Sequence, residues 1–275
     1  MERFLVVFVL AALVLLGCTG NKTGRTGYAS QEQPLLYDSL DSGEEEDTVM
    51  PLGADELFDD FVFIFASNRT LQMERIAFPL AIVDVDGKQT TIGKRQWKME
   101  PFFMNQDYYT LVFDNPEQME LVKDTALTEV TVEKIMLADS LVHQYSFCRQ
   151  EGRWMLTQVR HQALSHNANA QFFSFYQQFV ADSVFQYASL SEQIEFSGPD
   201  PDDDFAQVEG VITPDFWSAF APELPTDMLY NIVYGLQDPA STQKIFVLRG
   251  IANGLETELT FVQKNGRWKL TRLST

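Results

Sequence analysis

His143 and Tyr145 are the residues of this 275-residue chain whose types and spacing come nearest to acid–base chemistry. They stand two positions apart in Leu141-Val-His-Gln-Tyr-Ser-Phe147, which alternates like a half-buried strand. In a strand, residues two apart share a face. Leu141 and Phe147 fall on that face too, so the imidazole and the phenol are expected to point inward. A histidine there can exchange a proton near neutral pH, and a tyrosine can serve as a proton donor. General acid–base work also needs a carboxylate to orient the imidazole, and no position in the sequence names one. We therefore expect a core histidine satisfied by local hydrogen bonds and assign no catalytic residue. His143 and Tyr145, with Trp97 and Trp217, are kept as candidate lining of a ligand pocket.

Metal and cofactor chemistry find less support. His161 and His166 have no Asp or Cys beside them at ligand spacing. The acidic run Asp200-Pro-Asp-Asp-Asp204 lacks the spacing and the glycine of a twelve-residue calcium loop. No Gly-rich phosphate loop, Gly-x-Ser-x-Gly or Cys-x-x-Cys occurs. The sequence thus predicts neither a metal site nor a cofactor. Cys148 reads as a buried, inert thiol.

The elements that must position these residues come twice. Phe147-Cys-Arg-Gln-Glu-Gly-Arg-Trp-Met-Leu-Thr157 returns 114 positions later as Phe261-Val-Gln-Lys-Asn-Gly-Arg-Trp-Lys-Leu-Thr271. The same offset carries Phe58, Phe61, Phe65 and Gln72 onto Phe172, Phe175, Phe179 and Gln186. We read a tandem duplication, with domains at 51–163 and 167–275. Each opens on an aromatic stripe at helical spacing, Phe58-Phe61-Val62-Phe65 and Phe172-Phe175-Tyr176-Phe179. Strands are predicted at Tyr108–Phe113 and Met228–Tyr234. Long closing strands follow at Glu129–Leu137, Leu141–Gln150 and Arg153–Arg160, and again at Gln243–Ala252, Leu255–Gln263 and Arg267–Leu273. A hairpin is expected from Ala81 to Ile92, and a loop where its counterpart would lie, Ser197–Asp204. Helices followed by a run of antiparallel strands give an α+β class, with helices on one face of a curved sheet.

Charge excludes one class of partner. Thirty-nine acidic against twenty basic residues give a net charge of −19, so nucleic-acid binding is not expected. The acids cluster before the first domain, where Glu44, Glu45, Glu46 and Asp47 stand in a polar stretch. Residues 18–50 read as a self-repelling tether, on the order of 30 Å in r.m.s. span.

Residues 1–17 form a short charged start and an apolar run too brief to span a bilayer, which reads as a signal peptide. The run ends in Leu15-Leu16-Gly17-Cys18, which resembles the lipobox of bacterial lipoproteins. That resemblance implies a diacylglycerol on Cys18 and a membrane partner held by acyl chains, each buried CH₂ contributing about 0.8 kcal/mol. Thr19 rather than Asp follows the cysteine, which implies the outer membrane, with the folded part facing the periplasm or the cell surface.

The order of elements and the closing Phe-x-x-x-x-Gly-Arg-Trp-x-Leu hairpin resemble the nuclear transport factor 2-like fold, a cystatin-like cone. More narrowly, the chain is similar to duplicated lipoproteins of Bacteroidales-type bacteria of unknown function, over Leu52 to Thr275. The resemblance implies two tandem cones whose cavities can bind small molecules. The triplets Asp38-Ser39-Leu40 and Asp47-Thr48-Val49 are similar to the O-glycosylation signal of that group, which makes Ser39 and Thr48 candidate acceptors. Turn and cap chemistry is the alternative. The reading is a lipid-anchored envelope protein that binds a small molecule, a glycan or an envelope protein without catalysis. Two others stay open: a first-domain cavity enzyme using His143 and Tyr145, and an interaction scaffold using the groove between domains.

Overall fold

The computed structural model describes residues 54–200 and 203–275. Among them the helices are α1 (Phe58–Ser67), α2 (Arg69–Glu74), α3 (Pro116–Met119), α4 (Ala170–Ala181), α5 (Ser183–Ala188) and α6 (Trp217–Phe220). The strands are β1 (Ile76–Val83), β2 (Gln89–Ile92), β3 (Tyr108–Phe113), β4 (Glu129–Met136), β5 (Leu141–Gln150), β6 (Arg153–Ala163), β7 (Leu190–Asp200), β8 (Asp203–Ile212), β9 (Met228–Tyr234), β10 (Gln243–Gly250), β11 (Glu256–Lys264) and β12 (Arg267–Ser274). Chain direction at the helix starts is fixed by short caps. Asn68 accepts from the Leu71 N–H, and Asp182 from those of Val184 and Phe185.

All twelve strands join one sheet in the order β2-β1-β6-β5-β4-β9-β3-β10-β11-β12-β7-β8. The order reads the same from either end once each strand is exchanged for its counterpart in the other half. Neither half closes its own sheet: β9 lies between β4 and β3, and β3 lies between β9 and β10. The described residues on both sides of the expected boundary, 163 to 167, thus share one sheet. That sheet is mixed rather than antiparallel throughout, because β1 pairs β6, β12 pairs β7 and β3 pairs β9 in parallel.

The exchange explains why β3 and β9 carry almost unbroken apolar runs. Tyr109, Leu111 and Phe113 of β3 pack in a core with α1, while Val112 packs in a second core with α4. On β9, Tyr230, Ile232 and Tyr234 join the first core and Leu229 the second. Alternate residues of one strand serve different cores, so α1 and α4 cover opposite faces, and the central strands are buried on both. The two helix stripes pack alike. The rings of Phe65 and Phe147 meet edge to face at 5.2 Å and 87°, and those of Phe179 and Phe261 repeat both values. Such pairs add about 0.5–1.5 kcal/mol to the burial itself.

The connection between the halves is fixed by buried polar groups. Asn167 donates to Glu133 at 2.6 Å, and Glu133 also accepts from Gln144 and Asn231. Burial pushes the Glu133 carboxyl up, against the pull of those three amides. Asn169 accepts from Lys244 at 2.6 Å, and Lys244 pairs with the buried Asp114.

One expectation fails outright. Ser197–Asp204 is not a loop: β7 and β8 form a hairpin from Ile194↔Ile212 to Asp200↔Asp203. β8 is the sheet's outer strand, where one row of hydrogen-bonding groups needs no partner and charged residues are tolerated.

Candidate functional site

His143 and Tyr145 do share the face of β5 that looks toward α1, but the carboxylate expected of an acid–base pair goes elsewhere. It is Glu100, in the irregular segment between β2 and β3. The Tyr145 hydroxyl donates to Glu100 Oε2 at 3.1 Å, and the Tyr230 hydroxyl to Oε1 at 2.9 Å. Lys134 Nζ lies 3.6 Å from Oε1, and the Phe102 N–H donates to the same oxygen. The backbone of Glu100 is held by the buried side chain of Gln72 on α2. Gln72 donates to the Glu100 carbonyl at 2.7 Å and accepts from its N–H at 3.2 Å.

The Trp97 indole donates to the same Gln72 oxygen at 3.1 Å. Trp217 donates to Gln186 at the identical distance, but inside the α4 core, away from Glu100. Both tryptophans thus act as staples from the loop to the second helix of each half. Trp97 belongs to the Glu100 network and Trp217 does not.

His143 is not the core histidine with local hydrogen bonds that alternation suggested: it is half-buried at the margin of the core, and among the described residues its ring finds no hydrogen-bond partner. It lies against His161, ring centroids 4.2 Å apart, and it is His161 that meets a carboxylate, Asp84, at 3.3 Å. Burial first, then His161 and Lys134, lower the pKa of His143 to about 4, against an upward pull from Glu100. At neutral pH the ring is uncharged and unoriented. The phenols of Tyr145 and Tyr230 are pushed far above their ordinary value, by burial and then by the Glu100 charge. Each has one proton and gives it to Glu100, so neither is a free acid or an accessible base.

A second cluster on the same side of the sheet repeats this chemistry. Asp59 of α1 accepts from the hydroxyls of Tyr234 and Tyr109, and Arg249 lies 3.6 Å from it. Arg249 also donates to Glu256. Burial, before any charge, raises the Asp59 carboxyl. Each of the two carboxylates is thus held by one tyrosine from each half: Tyr145 and Tyr230 on Glu100, Tyr109 and Tyr234 on Asp59. These are buried ties between the exchanged strands.

Sequence reasoning missed Glu100, Lys134 and Tyr230. Nothing in the spacing marks Glu100, and Tyr230 arrives from the other half of the chain. Gln72 was signalled, by its recurrence as Gln186. Cys148 is free and half-buried, its sulfur 3.6 Å from the Thr157 hydroxyl. Cys18, Ser39 and Thr48 lie outside the described residues.

The fold has a solved counterpart. A crystal structure of an NTF2-like protein from Bacteroides fragilis NCTC 9343 superposes with a TM-score of 0.75 at 40% identity, over 82% of this chain and 97% of that one. A match of that extent exceeds what either 51–163 or 167–275 holds, so both halves take part in it. No curated protein matches. The model of the family described as "Domain of unknown function (DUF4348)" matches residues 37–275, and the chain belongs to that family.

Proposed function

We propose that this chain is a lipid-anchored protein of the cell envelope whose folded part binds a partner and does not catalyse. One observation carries the second half of that reading: Glu100, the carboxylate whose charge acts on His143, accepts from Tyr145 and Tyr230 instead of from the imidazole. An active acid–base pair would need an orienter on the ring and a proton free to move. Here the ring has no orienter and the phenols are committed.

The interiors favour recognition on the outside. The α1 core is closed by Phe61, Phe65, Phe102 and Phe147, and the α4 core by Phe172, Phe179, Phe246 and Phe261, all essentially without exposure. Recognition of a small molecule, a glycan or an envelope protein then falls to surface grooves. The mirrored strand order and the matched Phe65–Phe147 and Phe179–Phe261 contacts support an origin by duplication.

Anchoring rests on Leu15-Leu16-Gly17-Cys18 behind its apolar run, and the acidic stretch to residue 50 would hold the fold off the lipid. Ser39 and Thr48 in that stretch are the candidate glycan acceptors. Detergent partitioning of the full chain and of Cys18→Ala, made in a bacterium that lipidates, tests the anchor. Wild type should enter the detergent phase and the variant the aqueous phase. Aqueous partitioning of both would refute it.

A further inference from the structure

The two halves differ at one place where the backbone is the same. In the first half, the Arg75 guanidinium pairs with Asp55 at 2.8 Å and lies over the Phe61 ring at 5.8 Å. Asp55 Oδ1 also accepts from the backbone N–H of Trp154 at 3.0 Å. Phe61 and Trp154 beneath this plug have no exposure at all. Burial opposes ionisation of Asp55, yet Arg75, the Trp154 N–H and Arg153 together hold its carboxyl below the usual range.

One offset of 114 later, Arg75 becomes Ser189 and Asp55 becomes Asn169. The backbone is unchanged: Leu156 N–H donates to the Arg75 carbonyl at 2.8 Å, and Leu270 N–H to the Ser189 carbonyl at 2.8 Å. Asn169 is turned away to Lys244 and Gln237. Where the plug would sit there is a groove of about 450 Å³, floored by Phe175, Phe185 and Trp268. Phe175 is now 8% exposed and Trp268 7%. The volume is in the range of small-molecule sites.

The groove has lost the guanidinium of Arg75 but keeps the two other groups that held the carboxylate, a tryptophan backbone N–H and the arginine before it. Lys264 and Arg267 close the hairpin around its two-residue turn, so the next pair, Gln263↔Trp268, is a non-hydrogen-bonded one. The Trp268 N–H therefore points outward, as that of Trp154 does toward Asp55. Arg267 stands where Arg153 stands, exposed and without an ion pair among the described residues. Lys269 adds a cation at the rim where the first half has Met155, its ammonium seated on the Ala188 and Leu190 carbonyls. The chain's overall negative charge weighs little here, since exposed charges more than about 8 Å away are screened at physiological salt.

We infer that this groove binds a small organic carboxylate, its acid group on the Trp268 N–H between Arg267 and Lys269, and its body on Phe175, Phe185 and Trp268. The ligand would occupy the space that Asp55 and Arg75 fill in the other half. This goes beyond the anchored-binding reading, and its failure would leave the detergent result untouched.

The test follows the Trp268 amide by ¹H–¹⁵N NMR during titration with phenylacetate, decanoate and glucuronate, each against its neutral partner, phenylacetamide, decanamide and glucose. At least one acid should shift that amide and bind tenfold or more tightly than its neutral partner. Ser189→Phe, which fills the groove with an uncharged ring, should abolish the shift. Arg267→Glu, at an exposed position, should weaken binding tenfold or more without unfolding the protein. Three results would each overturn the proposal: no acid moves the Trp268 amide, the neutral partners bind as well, or Arg267→Glu binds as wild type does.

Discussion

Cutting the chain between its halves should leave two pieces that cannot fold alone. Expressed by itself, 51–166 loses β9, and β4 loses every pairing from Val130↔Tyr234 to Met136↔Met228. The α1 core loses Tyr230, Ile232, Tyr234, Ile245 and Val247. At about 1.5–3 kcal/mol for each buried side chain, that is roughly 7–15 kcal/mol. The net stability of a typical domain is only about 5–15 kcal/mol. β3 is a poor substitute beside β4. Val130 faces Tyr234, and the matching place in the other half sets Lys244 beside Asp114. In the β9 register, β3 would therefore put Asp114 and Thr110 where Tyr234 and Tyr230 belong. Far-UV circular dichroism with urea, and amide dispersion by NMR, should find 51–166 and 167–275 each without a cooperative transition. Mixing them should restore one. A cooperative transition of 51–166 alone, near the midpoint of the whole chain, would refute the exchange as a stabilising feature.

Three further predictions follow from the buried polar and aromatic groups. Glu133 has its carboxyl raised in the fold above the ordinary 4.5, so its contribution is full below that value and declines as pH climbs through the folded pKa. Glu133→Gln should remove that decline, seen as a smaller fall in urea midpoint as pH is raised above 4.5. Asp55 is held low, so its contribution is present above the ordinary 3.8 and is lost as pH falls through the folded value. Asp55→Asn should cost about 2–3 kcal/mol at neutral pH and flatten the acid limb of the stability curve. Phe65→Ala and Phe179→Ala should each cost about 3–5 kcal/mol in urea unfolding, to similar extents, because the two rings make the same contact.

Much of the local structure was legible from residue patterns. Tyr108–Phe113 and Met228–Tyr234 were read to the residue, because apolar runs bounded by polar segments leave little choice of element. Their partners were not legible. A strand buried on both faces fits equally beside strands of its own half and beside those of the other, and the sequence of one strand does not say which edge it meets. Ser197–Asp204 misled because Gly, Pro and Asp usually mark loops, whereas here Gly198, Pro199 and Asp200 stand where β7 runs on past its last pairing with β12, Ser274↔Ser197, beside β8 alone. At the site, alternation put His143 and Tyr145 on one face. It could not supply Glu100, which stands in an irregular segment, or Tyr230, which only the strand exchange brings near.

The most direct test of the account is the titration of His143, followed through its ring protons by NMR and assigned with His143→Gln. Its folded pKa of about 4 lies below the ordinary 6.5, so the neutral ring supports the fold above 6.5, and that support is lost as pH falls toward 4. The account predicts a midpoint near 4, with His143→Gln removing a stability loss across that window. A midpoint well above 6.5 would mean an imidazolium held by a carboxylate, and would contradict the claim that this protein binds without catalysing.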